Sequence, residues 1–219
     1  MTWRSQFTIH DSEFASQHLD FQSHNSIAVL AFPPDEGYPR LTRAVLKELG
    51  DLLNVVGRES LFHGVVIAAS VESFATGADV EEIVEFHGLA AREFAWAGQD
   101  VFEKIARFPL PVVAAIRGFC LGGGLDLALA CHARVATYDA SFGHPGASLG
   151  LITGWGGTQR LPRLIGKAQV LQMLLTGDRI PATQALTLGL VDELVTSQDL
   201  IDAAAQRANA IAAGVSRHP

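Results

Sequence analysis

The chain has 219 residues, of which 48% are hydrophobic and 18% charged, and its formal net charge is -7. This length and composition predict one compact domain, and an acidic chain without a block of Lys and Arg is a poor match for nucleic acid or an anionic membrane. The N-terminus lacks the apolar run of a signal peptide and no stretch is long enough to span a bilayer, so we expect a cytoplasmic protein that does not contact membranes. Cys120 and Cys131 lack Cys-x-x-Cys spacing, which predicts buried free thiols and no metal site.

Apolar runs and helical spacings alternate along the chain. Short apolar runs predict strands, and apolar residues that recur every three or four positions predict helices. The predicted strands cover 26–32, 65–69, 109–116, 133–137 and 190–195, and the predicted helices cover 41–58, a stretch from 80, 92–108, 125–131, 167–175, 182–188 and 199–213. Such alternation is typical of an α/β layered domain.

Three consecutive glycines, 122–124, join an apolar strand to an apolar helix and place Asp126 just inside that helix. Glycine lets a ligand approach the main chain closely, and the first N–H groups of a helix have no acceptor within the helix. These N–H groups also lie at the positive end of the helix dipole, so the junction is suited to an oxyanion hole. The structural alternative is a tight turn, with Asp126 as a charge in the first helical turn.

A second loop, Thr76-Gly-Ala-Asp79, has an equivalent place between an apolar strand and a helical stretch. By itself it favours a structural interpretation in which Asp79 caps the following helix. Taken with the glycine junction, it offers one N–H to a two-donor cradle for a carbonyl oxygen. Such a cradle suits a thioester enolate, because each well-placed donor lowers the barrier by roughly 3 kcal/mol.

Several motifs occur in an order that resembles the enoyl-CoA hydratase/isomerase (crotonase) superfamily. The resemblance runs from about Ser26 to Val195, and its motifs are Phe74–Asp79, Pro111–Leu127, Gly156–Gly166, Leu175–Ile180 and Ala185–Asp192. It implies a single-domain spiral of ββα units over 1–195, followed over 196–219 by a C-terminal helical region shorter than is usual in the family.

The resemblance also implies a substrate class and residue roles. The substrate would be an acyl-CoA thioester, with coenzyme A arriving as part of that substrate and no permanently bound cofactor, and the assembly would be a homotrimer or a dimer of trimers. By position, Ala78 and Gly123 would supply the oxyanion N–H groups. Thr76 and Ala78 would lie along the adenine side of the coenzyme. The lysine that the family carries shortly after the Gly-Ala-Asp motif is missing here, so the coenzyme phosphates would need another cation, Arg40 or Arg43.

The chain departs from its hydratase relatives at two positions where they carry glutamates. Asp126 keeps a carboxylate and can act as acid or base, whereas Gly146 cannot transfer a proton. Some naphthoate synthases of the superfamily also have glycine there and recruit bicarbonate. His144 would then hold an anion, a water or a substrate carboxylate. The structural alternative is a loop histidine whose ring nitrogens have hydrogen-bond partners within the protein. Trp155 either walls the acyl pocket or serves packing.

Together with these residues, the resemblance implies an acyl-CoA enzyme that isomerises or hydrates an enoyl chain. Decarboxylation and a non-catalytic acyl-CoA-binding or scaffold role remain as alternatives. A serine hydrolase is a further rival, because Gly146-Ala-Ser-Leu-Gly150 matches G-x-S-x-G. Its context is polar and glycine-rich, and the histidine that would complete a Ser-Asp-His order is His218.

Overall fold

The computed structural model describes residues 18–33, 38–69 and 73–215. The strands in these ranges are β1 (Asp20–His24), β2 (Ile27–Phe32), β3 (Gly64–Ala69), β4 (Val112–Ile116), β5 (Phe119–Leu121), β6 (Ala133–Thr137), β7 (Ser141–Gly143), β8 (Arg179–Pro181) and β9 (Glu193–Val195). The helices are α1 (Arg43–Val56), α2 (Val80–Val84), α3 (Leu89–Ala106), α4 (Gly123–Ala130), α5 (Gly157–Ile165), α6 (Lys167–Thr176), α7 (Ala182–Thr187) and α8 (Leu200–Ala212). A 3-10 helix covers Pro145–Leu149.

The predicted elements are present, with two strands that begin later than expected. β4 begins at Val112, since Pro109 and Pro111 have no N–H to give to a sheet. β9 begins at Glu193, because the N–H groups of Leu190 and Val191 return to the carbonyl oxygen of Ala185 in a turn after α7. The structure adds β1, β5, β7, β8 and α5, whose short or polar sequences carry little periodic signal.

Two sheets organise the domain. The larger sheet has the order β1-β2-β3-β4-β6-β9, in which β1 is antiparallel to β2 and the remaining neighbours are parallel. The smaller sheet has the order β5-β7-β8, and an isolated bridge joins Ala75 to Cys120 of β5. The chain therefore repeats a pattern in which a strand of the large sheet is followed by a short extended segment at the small sheet and then a helix. This is the predicted spiral of ββα units.

Helices cover both faces of the large sheet. Its inner strands are therefore buried on both sides, and their sequences are continuous apolar runs. All residues of β2, β4 and β6 are buried. One face packs against α1, α3 and α4, and the other packs against α8. The alanines of α8 allow a close approach: a Cβ built on Gly64 would lie 3.0 Å from the Cβ of Ala208. Cys120 and Cys131 are buried free thiols, as predicted.

Candidate active site

The two loops singled out in the sequence lie side by side. A Cβ built on Gly77 would lie 3.1 Å from the Gly123 nitrogen, and one built on Gly123 would lie 3.3 Å from the Ala78 nitrogen. Gly77 and Gly122 have φ angles of +110° and +52°, a backbone conformation that favours glycine. The Leu121 N–H donates to Ala75 O at 2.9 Å and ties the two loops together.

The N–H groups of Ala78 and Gly123 are not used by the backbone hydrogen bonds that join described residues outside helices and strands. Gly123 is the first residue of α4, whose N-cap Gly122 has no side chain to satisfy the helix end. Its N–H therefore lies at the positive end of the helix dipole without a partner in the helix. Both N–H groups belong to residues of one cavity wall, where they are available to an oxygen atom.

All seven residues predicted for the site line one cavity with a volume of about 250 Å³. They are Thr76, Ala78, Gly123, Asp126, His144, Gly146 and Trp155. Most of the remaining wall is apolar, with side chains from α2 and the loop after it, α3, the 3-10 helix, α6 and the segment before α5: Val80, Ile83, Phe86, Phe94, Leu149, Leu151, Ile152 and Leu174. The cavity thus combines polar groups at one place with room for an apolar chain.

Asp126 lies in the first turn of α4 and is 1% exposed. Its Oδ2 accepts hydrogen bonds from the Thr153 hydroxyl and, at 3.3 Å, from the Trp155 N–H. Burial raises the pKa of Asp126 to about 6 because it disfavours the charged carboxylate, while these two hydrogen bonds and the charge of Arg160 act in the opposite direction. The carboxylate is therefore ionised at neutral pH but remains a stronger base than an exposed aspartate.

His144 follows β7 and is 3% exposed. Its Nε2 lies 3.5 Å from Asp126 Oδ1, and neither atom has a hydrogen-bond partner among the described residues. Burial lowers the pKa of His144 to about 4, so the ring is neutral at physiological pH. Because Nε2 is unpartnered, the ring is not the fully satisfied loop histidine of the structural alternative.

The backbone around Gly146 leaves no room for a side chain. A Cβ built on Gly146 would lie 2.9 Å from the carbonyl oxygen of Leu151, and Leu151 N–H donates back to Gly146 O at 2.9 Å. The loop that follows the 3-10 helix therefore closes against this glycine. A second carboxylate could stand at position 146 only if that loop moved.

Trp155 serves both packing and the cavity wall, the two roles that its sequence context left open. Its buried indole packs edge-on against Phe94 and Phe102, with ring centroids 5.1 and 5.6 Å away. It fits because two glycines face it: a Cβ on Gly98 would lie 2.2 Å from Nε1, and a Cβ on Gly123 would lie 2.4 Å from Cζ3. The indole therefore lies directly beside Gly123.

Asp79 and the two candidate phosphate-binding arginines are all engaged in contacts of their own. Asp79 caps α2, accepting from the N–H groups of Glu81 and Glu82, as the structural interpretation predicted. Arg40 lies at the surface, 3.4 Å from the Asp79 carboxylate. Arg43 is less available, because its guanidinium stacks 4.4 Å above Phe86 and donates to a backbone carbonyl of α3 at 2.8 Å.

The serine-hydrolase interpretation is wrong. Residues 145–149 form a 3-10 helix that ends at Gly150 in the left-handed conformation, and Ser148 is exposed there. A nucleophile elbow requires a sharp turn from a strand directly into an α-helix, and this segment does not provide one. His218 lies outside the described residues.

Two further residues, Thr153 and Arg160, have no role in the sequence analysis. The hydroxyl of Thr153 donates to Asp126. Arg160 donates to the Trp155 carbonyl at 3.1 Å and to Glu103 at 3.2 Å, and its charge favours the ionised form of Asp126. The only sequence signal for either was its place beside the glycines of the third motif.

The fold is a spiral of ββα units in which two loops place backbone N–H groups at one cavity, and comparisons with known proteins give the family. The enoyl-CoA hydratase/isomerase family model matches residues 22–218. DspI from Pseudomonas aeruginosa is similar at 31% identity over 96% of this chain and 79% of its own, with a TM-score of 0.84. An enoyl-CoA hydratase from Bacillus anthracis is similar at 33% identity, covering 90% of this chain and 77% of its own, also with a TM-score of 0.84.

An enoyl-CoA hydratase/carnithine racemase from Magnetospirillum magneticum is similar at 25% identity, over 91% of this chain and 76% of its own, with a TM-score of 0.84. The chain belongs to the enoyl-CoA hydratase/isomerase family. No helix of the described residues is long and apolar enough to cross a membrane. The described residues also contain no group of three or more His, Cys, Asp or Glu side chains placed to hold a metal ion.

Proposed function

We propose that this chain acts on acyl-CoA thioesters, whose enolate it stabilises, and that it isomerises or hydrates the double bond of an enoyl chain. One observation carries the proposal: the N–H groups of Ala78 and Gly123 lie beside each other in the cavity that also holds the buried carboxylate of Asp126. Two donors stabilise the enolate oxygen, and the carboxylate transfers a proton at carbon.

The cavity fits the acyl part of such a substrate. Its wall is largely apolar beyond the polar residues, which suits an alkyl or alkenyl chain next to a thioester. Coenzyme A would extend past Thr76 and Ala78 as part of the substrate, with no separate cofactor. Of the two candidate cations, Arg40 is the better partner for its phosphates, because the Arg43 guanidinium is already stacked and hydrogen-bonded.

Asp126 supplies the proton transfer. Above a pH of about 6 it is ionised and takes a proton from a carbon next to the enolate system, and its neutral form returns that proton to another carbon. This single-carboxylate shuttle is double-bond isomerisation. Hydration needs in addition a group that positions water.

The oligomeric state belongs to the same proposal. Leu149, Ile152, Leu171 and Leu175 expose large apolar side chains on and near the 3-10 helix and α6, which pack against each other. An exposed apolar surface of this kind is typical of a subunit interface, and we expect a trimer or a dimer of trimers. Sedimentation velocity of the full chain tests this, since a monomer at micromolar concentration would contradict it.

Deuterium exchange tests the proposed function. Saturated acyl-CoA thioesters of two to eight carbons are incubated with the protein in D₂O, and incorporation at the α-carbon is read by mass spectrometry. We expect exchange above the protein-free rate, and we expect Asp126→Asn to lower it by about 100-fold or more. The matched control is Asp139→Asn, which changes an exposed aspartate in the turn between β6 and β7 and should keep the wild-type rate.

Two outcomes would contradict the proposal. Binding of acyl-CoA without any exchange would instead support the non-catalytic acyl-CoA-binding role. Equal exchange by the wild type and the Asp126→Asn variant would remove Asp126 as the proton-transfer group.

A further inference from the structure

Two unpartnered polar atoms face each other in the cavity and are not both needed for enolate formation. His144 Nε2 and Asp126 Oδ1 lie 3.5 Å apart, their side chains are 3% and 1% exposed, and neither has a hydrogen-bond partner among the described residues. Buried polar atoms are nearly always hydrogen-bonded to protein or to water. A facing pair of this kind, next to an open cavity, indicates that something polar binds there.

Both atoms can act as acceptors at neutral pH. Asp126 is ionised, so Oδ1 can only accept. His144 is neutral, because burial lowers its pKa to about 4, and in the tautomer with its proton on Nδ1 the Nε2 atom also accepts. Two acceptors 3.5 Å apart can both be reached from one oxygen atom at about 2.8 Å. The chemistry therefore matches one molecule that donates two hydrogen atoms, and water is the smallest such molecule.

We propose that Asp126 Oδ1 and His144 Nε2 together position the attacking water of a hydratase, so that His144 takes over part of the role of the missing carboxylate at Gly146. This inference rests on the proposed function, because water can add only to an enoyl thioester whose enolate is stabilised. It assigns hydration to the chain and water positioning to His144.

The step balances with groups already in the cavity. The water oxygen forms a bond to the β-carbon, the electrons of the carbon–carbon double bond move to the thioester oxygen between Ala78 and Gly123, and one water proton passes to Asp126 Oδ1. That proton then moves from Asp126 to the α-carbon, which regenerates the carboxylate and the thioester. The second water proton stays on the new hydroxyl group, and His144 accepts its hydrogen bond during the attack without changing its own protonation.

Gly146 is consistent with this arrangement. Gly146 lines the same cavity, and the Leu151 carbonyl excludes a carboxylate side chain from its position. The positive charge of Arg160 in α5 favours the ionised form of Asp126, and so do hydrogen bonds from the Thr153 hydroxyl and from the N–H groups of Trp155 and Gly157. These groups keep Asp126 able to accept the water proton.

The test separates water addition from enolate formation. Crotonyl-CoA is incubated with the protein in water enriched in oxygen-18, and labelled 3-hydroxyacyl-CoA is measured by mass spectrometry. The same preparations are assayed for α-proton exchange into a saturated thioester in D₂O. The variants are His144→Leu, which removes the acceptor, His144→Gln, which keeps an acceptor oxygen, and His63→Gln as a control at an exposed histidine that does not line the cavity.

We expect the wild type and His63→Gln to hydrate crotonyl-CoA equally. We expect His144→Leu to lose hydration by about 100-fold or more while exchange stays within about tenfold, and His144→Gln to fall between these variants. Since exchange uses the same cavity, its retention also shows that the variant is folded.

Exchange without any hydration in the wild type overturns the inference and leaves the proposed function standing. Parallel loss of both activities in His144→Leu and His144→Gln also overturns it, because His144 would then have a structural role. Unchanged hydration in His144→Leu does the same, and absence of both activities in the wild type removes the proposed function itself.

Discussion

Replacing Asp126 with asparagine is expected to make the protein more stable while it removes the proposed activity. Asparagine has the shape of aspartate, can still accept from the Thr153 hydroxyl, and places an amide group toward the unpartnered Nε2 of His144. It also removes a buried charge. The pKa of about 6, against an ordinary value of 3.8, corresponds to about 3 kcal/mol by which ionisation of Asp126 disfavours the folded state.

The sign of the pH dependence follows from the raised pKa. Between pH 4 and pH 6 the folded state holds a proton on Asp126 that the unfolded state has already released, so wild-type stability falls as pH rises through this window. Above pH 6 the full destabilisation is present, and below pH 4 it is absent. His144 is the same in both proteins, so its own titration largely cancels when the two are compared.

The measurement is urea unfolding of the wild type and Asp126→Asn at pH 4 and pH 8. We expect the variant to be more stable by about 1–3 kcal/mol at pH 8 and nearly equal at pH 4, a difference that corresponds to roughly 2–4 °C in melting temperature for each kcal/mol. Asp139→Asn should show no such pH-dependent difference. A variant that is less stable at pH 8, or a difference that does not change with pH, would refute the claim that ionisation of the buried Asp126 carboxylate destabilises the folded state.

Three further predictions concern residues at or behind the cavity wall. Thr153→Val removes a hydrogen bond that favours ionisation, so the pH at which α-proton exchange reaches half its maximum should rise above about 6; an unchanged midpoint would contradict this. Gly98→Ala places a Cβ 2.2 Å from the Trp155 indole and should destabilise the protein by about 1–3 kcal/mol. Adding Trp155→Phe should recover part of that loss, and additive losses in urea unfolding would show that the two residues do not interact. Gly146→Glu should lower the melting temperature without raising hydration, because its Cβ would lie 2.9 Å from a carbonyl oxygen of the following loop; a gain in hydration with unchanged stability would contradict the geometry.

The two glycine loops that line the cavity could be predicted from sequence as backbone turns because their signals are local. Glycines 122–124, the adjoining apolar helix and Asp126 lie within a few residues, and each residue type has a direct backbone consequence. The longer strands of the large sheet could also be predicted from the sequence, because burial on both faces requires continuous runs of apolar residues. The three-residue strands of the small sheet were missed, because pairing with neighbouring strands determines them more than local propensity does.

The meeting of His144 with Asp126 could not be predicted from either segment alone. It depends on the register of β5 with β7, in which Cys120 pairs with Phe142 and the Gly122 N–H donates to Gly143 O at 2.9 Å. A shift of one residue would turn His144 away from the cavity. The fit of Trp155 against Gly98 is similarly a product of tertiary packing between distant segments, and a lone glycine within a helical pattern gives no indication of what fills its space.

The most direct measurement of the central claim is a crystal structure of the protein with a bound, unreactive acyl-CoA analogue that keeps the thioester carbonyl. The account predicts that the carbonyl oxygen lies within about 3 Å of both the Ala78 and the Gly123 nitrogen, with the α-carbon facing the Asp126 carboxylate. A carbonyl oxygen bound elsewhere in the cavity, or in contact with only one of these nitrogens, would contradict it.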